Sequence, residues 1–196
     1  MVTERKVLAI EHMDQRIGDQ ELLPRLETLL RVSGCGFQDL THIACIIGPG
    51  GFMSLRVAVA LANTLADQLH IPIAGIHLSD MYGGRFRVPG SGFRDCVWLH
   101  STKKQELFVR GFGDVAKVWP EATHVILEDF LNILRRDAPL ARLLWVGELI
   151  PEHREVIEKL GMQECKPLPL EDILPVFLSA QTYKQQILEP WYGRGW

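Results

Sequence analysis

The stretch IIGPGGFMSLRVAVALANTLADQL, Ile46–Leu69, constrains this chain more than any other. An apolar run ends in three glycines around one proline, and a segment rich in small residues follows at once. That order predicts a strand turning sharply into a helix. Leu55, Ala58, Val59, Ala62, Leu65, Ala66 and Leu69 recur at helical spacing and mark the apolar face of a helix from near Ser54 to Leu69. Asn63 and Asp67 fall nearer its polar side. The strand before the glycines is His42–Ile47, and Pro72 opens another, IPIAGIH. Upstream, leucines at positions 22, 23, 26, 29 and 30 form one stripe of a helix over Asp19–Val32. Asp19 is its candidate cap, and Gly34 and Gly36 end it. KVLAI, Lys6–Ile10, reads as a strand. Three strands joined by two helices predict a βαβαβ unit with a parallel sheet and right-handed crossovers.

Beyond His77 the pattern changes. Leu78–Asp95 is rich in glycine and reads as a loop or irregular insertion. Cys96–His100 and Glu106–Phe112 flank the polar turn STKKQ and predict a hairpin. Leu127–Leu134 reads as a short helix, Ala141–Val146 as a strand ending at Gly147, and Pro151–Leu160 as an amphipathic helix. Prolines 167, 169 and 175 then break the chain, VFLS reads as a closing strand, and EPWYGRGW as a loosely held tail. The expected organisation is an α/β core lobe over 1–77 with the glycine loop, a Gly-rich loop over 78–95, a reduced second lobe over 96–180 and a tail over 181–196.

An apolar content of 47% suits a packed core, and a formal net charge of -3 leaves no electrostatic footprint for direct nucleic-acid binding. Cys35, Cys45, Cys96 and Cys165 form no CxxC pair or zinc pattern and read as small hydrophobes in a reducing compartment. The N-terminal residues lack the apolar core of a signal peptide, and no run approaches a membrane span; a cytoplasmic protein with no membrane partner is expected.

The glycine loop allows two chemistries. Backbone N–H groups of Gly48, Gly50 and Gly51, with Arg56 one turn into the helix, could hold a phosphate. Yet GPGGFMSLR is neither GxGxxG nor GxxxxGK[ST], so a tight structural turn is the simpler account. Glu11, His12 and Asp14 follow the first expected strand, and His77 with Asp80 follows the third, both plausible sheet-edge positions. EHMD is not HExxH, and Ser91 in GSGF is not a nucleophile elbow. The remaining histidines are scattered, no nucleophile–base–acid set emerges, and the tryptophans read as core or interface anchors.

Gly48–Ile76, GPGGFMSLRVAVALANTLADQLHIPIAGI, resembles the GPGSFTGLR signature of the TsaB family with the helix and strand that follow it. The preceding order of helix, linker, strand and glycine loop matches from about Glu21; TKKQELFVRGF and PLEDILPVFLSA extend the likeness more weakly. The resemblance implies an actin/hexokinase-like (ribonuclease-H-like, ASKHA) three-layer α/β fold with a truncated second lobe. It implies a non-catalytic scaffold for a TsaD-like subunit that forms threonylcarbamoyladenosine in tRNA. A TsaE-like ATPase and a second copy are further partners it allows, with tRNA reached only indirectly. TsaD-type enzymes hold a metal between histidines of an HxxxH-type site, which this chain lacks; no cofactor of its own is implied beyond ATP or ADP with magnesium at a subunit interface. Leu22, Leu26 and Leu29 on the first helix, with Ala58, Ala62 and Ala66 on the second, are the implied partner face. KVLAI stands either for the family's first strand, its hairpin deleted, or for the last strand of that hairpin. A nucleotide-binding ATPase-like domain and a degenerate relative without a tRNA role are the alternatives.

Overall fold

The computed structural model describes residues 1–13, 18–88, 92–93, 95–136 and 143–193. Asp14, Ser91, Ala141 and Trp196, singled out above, lie outside them. The chain divides into two compact units, Met1–Gly48 with Phe52–His77 and Pro169–Trp191, and Pro49–Gly51 with Leu78–Leu168 and Tyr192–Trp196.

In the first unit, β1 (Ile43–Gly48) and β2 (Ile73–His77) pair in parallel, with Ile43 opposite Ile73 and Ile46 opposite Ile76. α2 (Phe52–Leu69) makes the crossover and buries Leu55, Val59, Ala62 and Ala66. Val59, Ala62 and Ala66 pack with Cys45 and Ile73. The helix ends at His70 in the left-handed region (φ 54), where Ile71 N–H reaches Ala66 O at 3.1 Å and His70 N–H reaches Asp67 O at 3.2 Å. These two bonds satisfy carbonyls that a helix end leaves open. α1 (Leu22–Val32) follows a single 3-10 turn, Asp19–Glu21. Gly18, not Asp19, holds the N-cap position, and its N–H donates to the Glu21 carboxylate at 3.3 Å.

Two strands expected here do not form. KVLAI stays out of the sheet: Val7 bridges antiparallel to Val2, and the Met1 ammonium donates to the Ala9 carbonyl at 2.7 Å. A short apolar run satisfies its backbone groups locally as readily as in a sheet, and periodicity cannot separate the two. The parallel sheet is therefore a βαβ pair rather than βαβαβ. VFLS is the end of a helix, α6 (Leu170–Ser179), with Pro175 inside it. Glu171 and Asp172 in its first turn complement the helix dipole, and buried Ile173 and Pro175 anchor it. The proline costs one intrahelical bond without stopping the helix.

The second unit is built on a five-stranded sheet in the order β7-β6-β5-β8-β9. β5 (Cys96–Lys103) and β6 (Glu106–Phe112) form the expected hairpin, its turn narrowed to Lys104 and Gln105. β7 (Thr123–Val125) pairs antiparallel on β6, and β8 (Leu144–Glu148) and β9 (Gln163–Glu164) add in parallel beside β5. One face buries Val97, Leu99, Leu107, Val109 and Trp145 against Phe130, Leu131 and Leu134 of α4 (Leu127–Arg136) and Ile157 of α5 (Pro151–Lys159). Strand alternation sends Trp98 and His100 to the opposite face. The Gly-rich segment is more regular than expected. It contains α3 (Leu78–Gly84), with Ser79 and Tyr82 buried, and two short strands paired antiparallel, β3 (Arg87–Val88) and β4 (Gly92–Phe93).

Each unit is thus mixed α/β, built on a sheet of its own. Among the described residues, no helix is long and apolar enough to cross a membrane.

Candidate functional site

The glycine loop opens where β1 slips its register. A shift between Ile46 and Gly48 leaves the Ile47 carbonyl to accept from Trp191 N–H at 2.7 Å. Gly48 has φ 150, and a Cβ there would overlap the Trp191 carbonyl oxygen. Glycine is required at 48 for that close approach, and the group approaching is the chain's own backbone. A carbonyl oxygen presents negative partial charge, so this side of Gly48 does not favour an anion. Gly50 is half-buried and Gly51 exposed. α2 begins at Phe52, two residues before the expected start, and the Arg56 guanidinium lies over the Phe52 ring at 5.3 Å from its centroid.

The expected partner residues separate by burial. Leu22, Leu26 and Leu29 of α1 are half-buried and Leu30 is buried, while Leu23 is 40% and Val32 71% exposed. On α2 the alanine row does not face outward. Ala62 and Ala66 are buried against the sheet and Ala58 packs at the margin of the same cluster. Small side chains let the two strands come close to the helix. Phe52 (46%) and Met53 (50%) are the exposed large apolar residues of α2, and Val57, Leu61 and Leu65 are half-buried.

Of the tail expected over 181–196, the residues from Lys184 to Trp191 are tied to the first unit. Ile73 and Lys184 exchange both backbone hydrogen bonds, at 2.9 and 3.2 Å. Leu188 is buried in the cluster of Cys45, Val59, Ala62, Ala66 and Ile73. Asn63, placed by the sequence on the polar side of α2, donates from Nδ2 to the Leu188 carbonyl and accepts from the Leu188 N–H, both at 2.9 Å. The only trace of this pair in the sequence is an amide between apolar turns.

The titratable residues resolve mostly into structural pairs. His12 Nε2 meets Glu171 at 2.9 Å and Glu11 pairs with Arg25, both on the surface. Asp80 pairs with Arg110, which also donates to Ser79 Oγ at 2.8 Å. His77 meets the Trp191 ring edge-on at 4.3 Å. In the second unit, His100 is 5% exposed, stacked on Trp98 with ring centroids 5.7 Å apart, and set opposite Glu148 in the sheet. Burial lowers its pKa, and Glu148 opposes that shift. Tyr82 donates to Glu148 Oε1 at 3.0 Å; burial foremost, then the carboxylate charge, raises its pKa. The four cysteines are free, and burial lifts Cys45 to about 11 and Cys96 to about 12, so neither thiol is a ready nucleophile. Among the described residues, no group of three or more His, Cys, Asp and Glu could hold a metal ion.

The matches to known proteins extend over both units. The family model described as TsaD: tRNA N6-adenosine threonylcarbamoyltransferase matches residues 15–123. The tRNA threonylcarbamoyladenosine biosynthesis protein TsaB of Buchnera aphidicola subsp. Acyrthosiphon pisum is 28% identical over 80% of this chain and 72% of its own length. TsaB of Bacillus subtilis is 27% identical over 69% of this chain and 58% of its own length. Among solved structures, YeaZ from Pseudomonas aeruginosa superposes with a TM-score of 0.57 at 19% identity, covering 90% of this chain and 84% of that one. An uncharacterized protein with similarity to peptidase YeaZ from Pseudomonas aeruginosa gives 0.60, also at 19% identity, covering 91% and 85%. With residues 15–123 of 196 matched, more than half its length, the chain belongs to the TsaD tRNA N6-adenosine threonylcarbamoyltransferase family, in which its relationship is TsaB/YeaZ-like.

Proposed function

We propose that this chain is a non-catalytic, TsaB-like partner of a TsaD-type catalytic subunit in the formation of threonylcarbamoyladenosine in tRNA. The observation that carries the reading is the pair α1–α2. Both helices lie inside the matched region, and both leave large apolar side chains in water: Leu23 and Val32 on one, Phe52 and Met53 on the other. Leu22, Leu26 and Leu29 of α1 are half-buried. A contiguous patch of such side chains would mark a protein–protein surface. The relatives named TsaB support a role in tRNA threonylcarbamoyladenosine biosynthesis; the TsaD-type partner and the actin/hexokinase-like fold are part of the proposal. A TsaE-like ATPase, self-association and a cytoplasmic location belong to the same reading. The competing reading is a nucleotide at Gly48–Gly51. The Trp191 carbonyl against Gly48, and an Arg56 already laid over Phe52, weigh against it.

Analytical ultracentrifugation of the chain with a TsaD-type subunit tests the proposal. A complex is expected, burying roughly 1,200–2,000 Å². Met53→Glu should abolish it and leave the melting temperature unchanged, because Met53 is half in water. A wild-type chain that ignores the subunit at tens of micromolar, or that binds ATP with magnesium and loses that binding in a Gly50→Val variant, would overturn it.

A further inference from the structure

The sheet under α2 has two strands, spaced about 4.8 Å apart, while a helix with its side chains is about 10–12 Å across. Two strands alone do not fill the apolar face of an 18-residue helix. A third element completes the layer: Lys184–Trp191, which begins beside Ile73 at the start of β2 and ends on Ile47 at the end of β1. Along the way Leu188 settles over Gly75. A Cβ at Gly75 would stand 3.1 Å from Leu188 Cδ2 and 3.0 Å from Ile47 Cγ2, so the bare backbone of β2 makes the room. Gln186 Nε2 donates to the Ile73 carbonyl and Gln185 Nε2 to the His70 carbonyl, each at 3.2 Å. The reciprocal Asn63–Leu188 pair links this strap to the body of α2.

We infer that the Lys184–Trp191 strap is a positioning element for α2, with Asn63 as its clip, and that its docking sets the pose in which α2 offers its outer face to a partner. The inference rests on the proposed function for the identity of that partner, but the pose of α2 can be measured without it. An amide pairing both its donor and its acceptor with one backbone residue fixes translation along the helix as well as distance. Leu188 beneath it supplies non-directional adhesion. Asn63 is half-buried and spends both ends of its amide on Leu188, so its effect on binding is read through the strap.

Hydrogen exchange read by mass spectrometry on the full chain, together with the affinity for a TsaD-type subunit, tests this. Asn63→Ala removes both bonds, and Asn63→Asp keeps an acceptor for the Leu188 N–H. In Asn63→Ala, exchange over Phe52–Leu69 and over 184–191 should quicken about tenfold, as expected for two lost hydrogen bonds. Exchange over β5 and β8 should stay unchanged, and affinity for the subunit should fall by a similar factor. Asn63→Asp should lie between Ala and wild type in both readouts. Met53→Glu should abolish binding and leave exchange in α2 as it was. If only 184–191 loosens in Asn63→Ala while α2 keeps its protection, the strap is a passenger and the inference falls. Uniform loosening of the whole first unit also overturns it, because Asn63 is then ordinary core. Failure of the wild-type chain to bind the subunit sinks the proposed function alone; the exchange pattern still decides whether the strap positions α2.

Discussion

The two units solve the same packing problem with different amounts of sheet. The second covers one face of a five-stranded sheet with α4 and α5 and leaves Trp145, Leu99 and Phe130 with no exposed surface. Most of its neighbours in the sheet are also close in sequence, as in the β5–β6 hairpin. The first has one parallel pair, and its core is completed by Leu188, more than a hundred residues from the helix it packs on. Parallel strands need cover on both faces, and a pair of them is marginal without help. A small sheet thus makes a distant segment indispensable, whereas a large sheet closes its core with its own flanking helices.

Core truncations should widen this contrast. Trp145→Ala should be the most damaging, at about 3–5 kcal/mol, because a fully buried indole leaves a cavity the rigid sheet cannot fill. Urea denaturation followed by tryptophan fluorescence from the remaining indoles would measure it, and a loss under about 1 kcal/mol would show that the sheet relaxes. Leu188→Ala should cost less, about 2–3 kcal/mol, since the side chain is 8% exposed and lies at the edge of its cluster. Its distinctive outcome is local. Exchange in β1, β2 and α2 should rise while β5 and β8 keep their protection, and equal loosening everywhere would erase the distinction between the units.

The smallest effect is on pH dependence. His100 is held neutral by burial, so its folded pKa lies below its unfolded value near 6.5. The unfolded chain therefore binds the extra proton first. Stability from this group is complete above about pH 6.5 and drains away as the pH falls toward the folded pKa. The Glu148 charge tempers the loss. His100→Phe should flatten the acid limb of the melting temperature against pH and leave the neutral plateau nearly unchanged. An unchanged acid limb would mean that His100 does not titrate on unfolding.

Much of the architecture was legible in residue order. Glycines after an apolar run, a helix with two apolar rows and a second apolar run specify the βαβ unit, because each signal is local and all agree. The β5–β6 hairpin, α4, β8 and the Pro151 start of α5 were legible for the same reason. KVLAI and VFLS were misread because four or five apolar residues carry no period of their own; local backbone closure decided the first and helical burial of Ile173 and Pro175 the second. α3 was hidden by its glycines, and burial of Tyr82 outweighs their poor helix propensity.

The sequence by itself determined the strand–glycine–helix core and the family likeness, since these rest on spacing along one short stretch. Only the tertiary structure decided which side of α2 faces the sheet. The alanine row and the Phe52–Met53 end are both apolar, and periodicity marks a stripe without saying what covers it. It also decided that Gly48 answers to Trp191 and that Asn63 holds Leu188. Both contacts join residues 125 or more apart in sequence, and no local pattern encodes a partner at that distance.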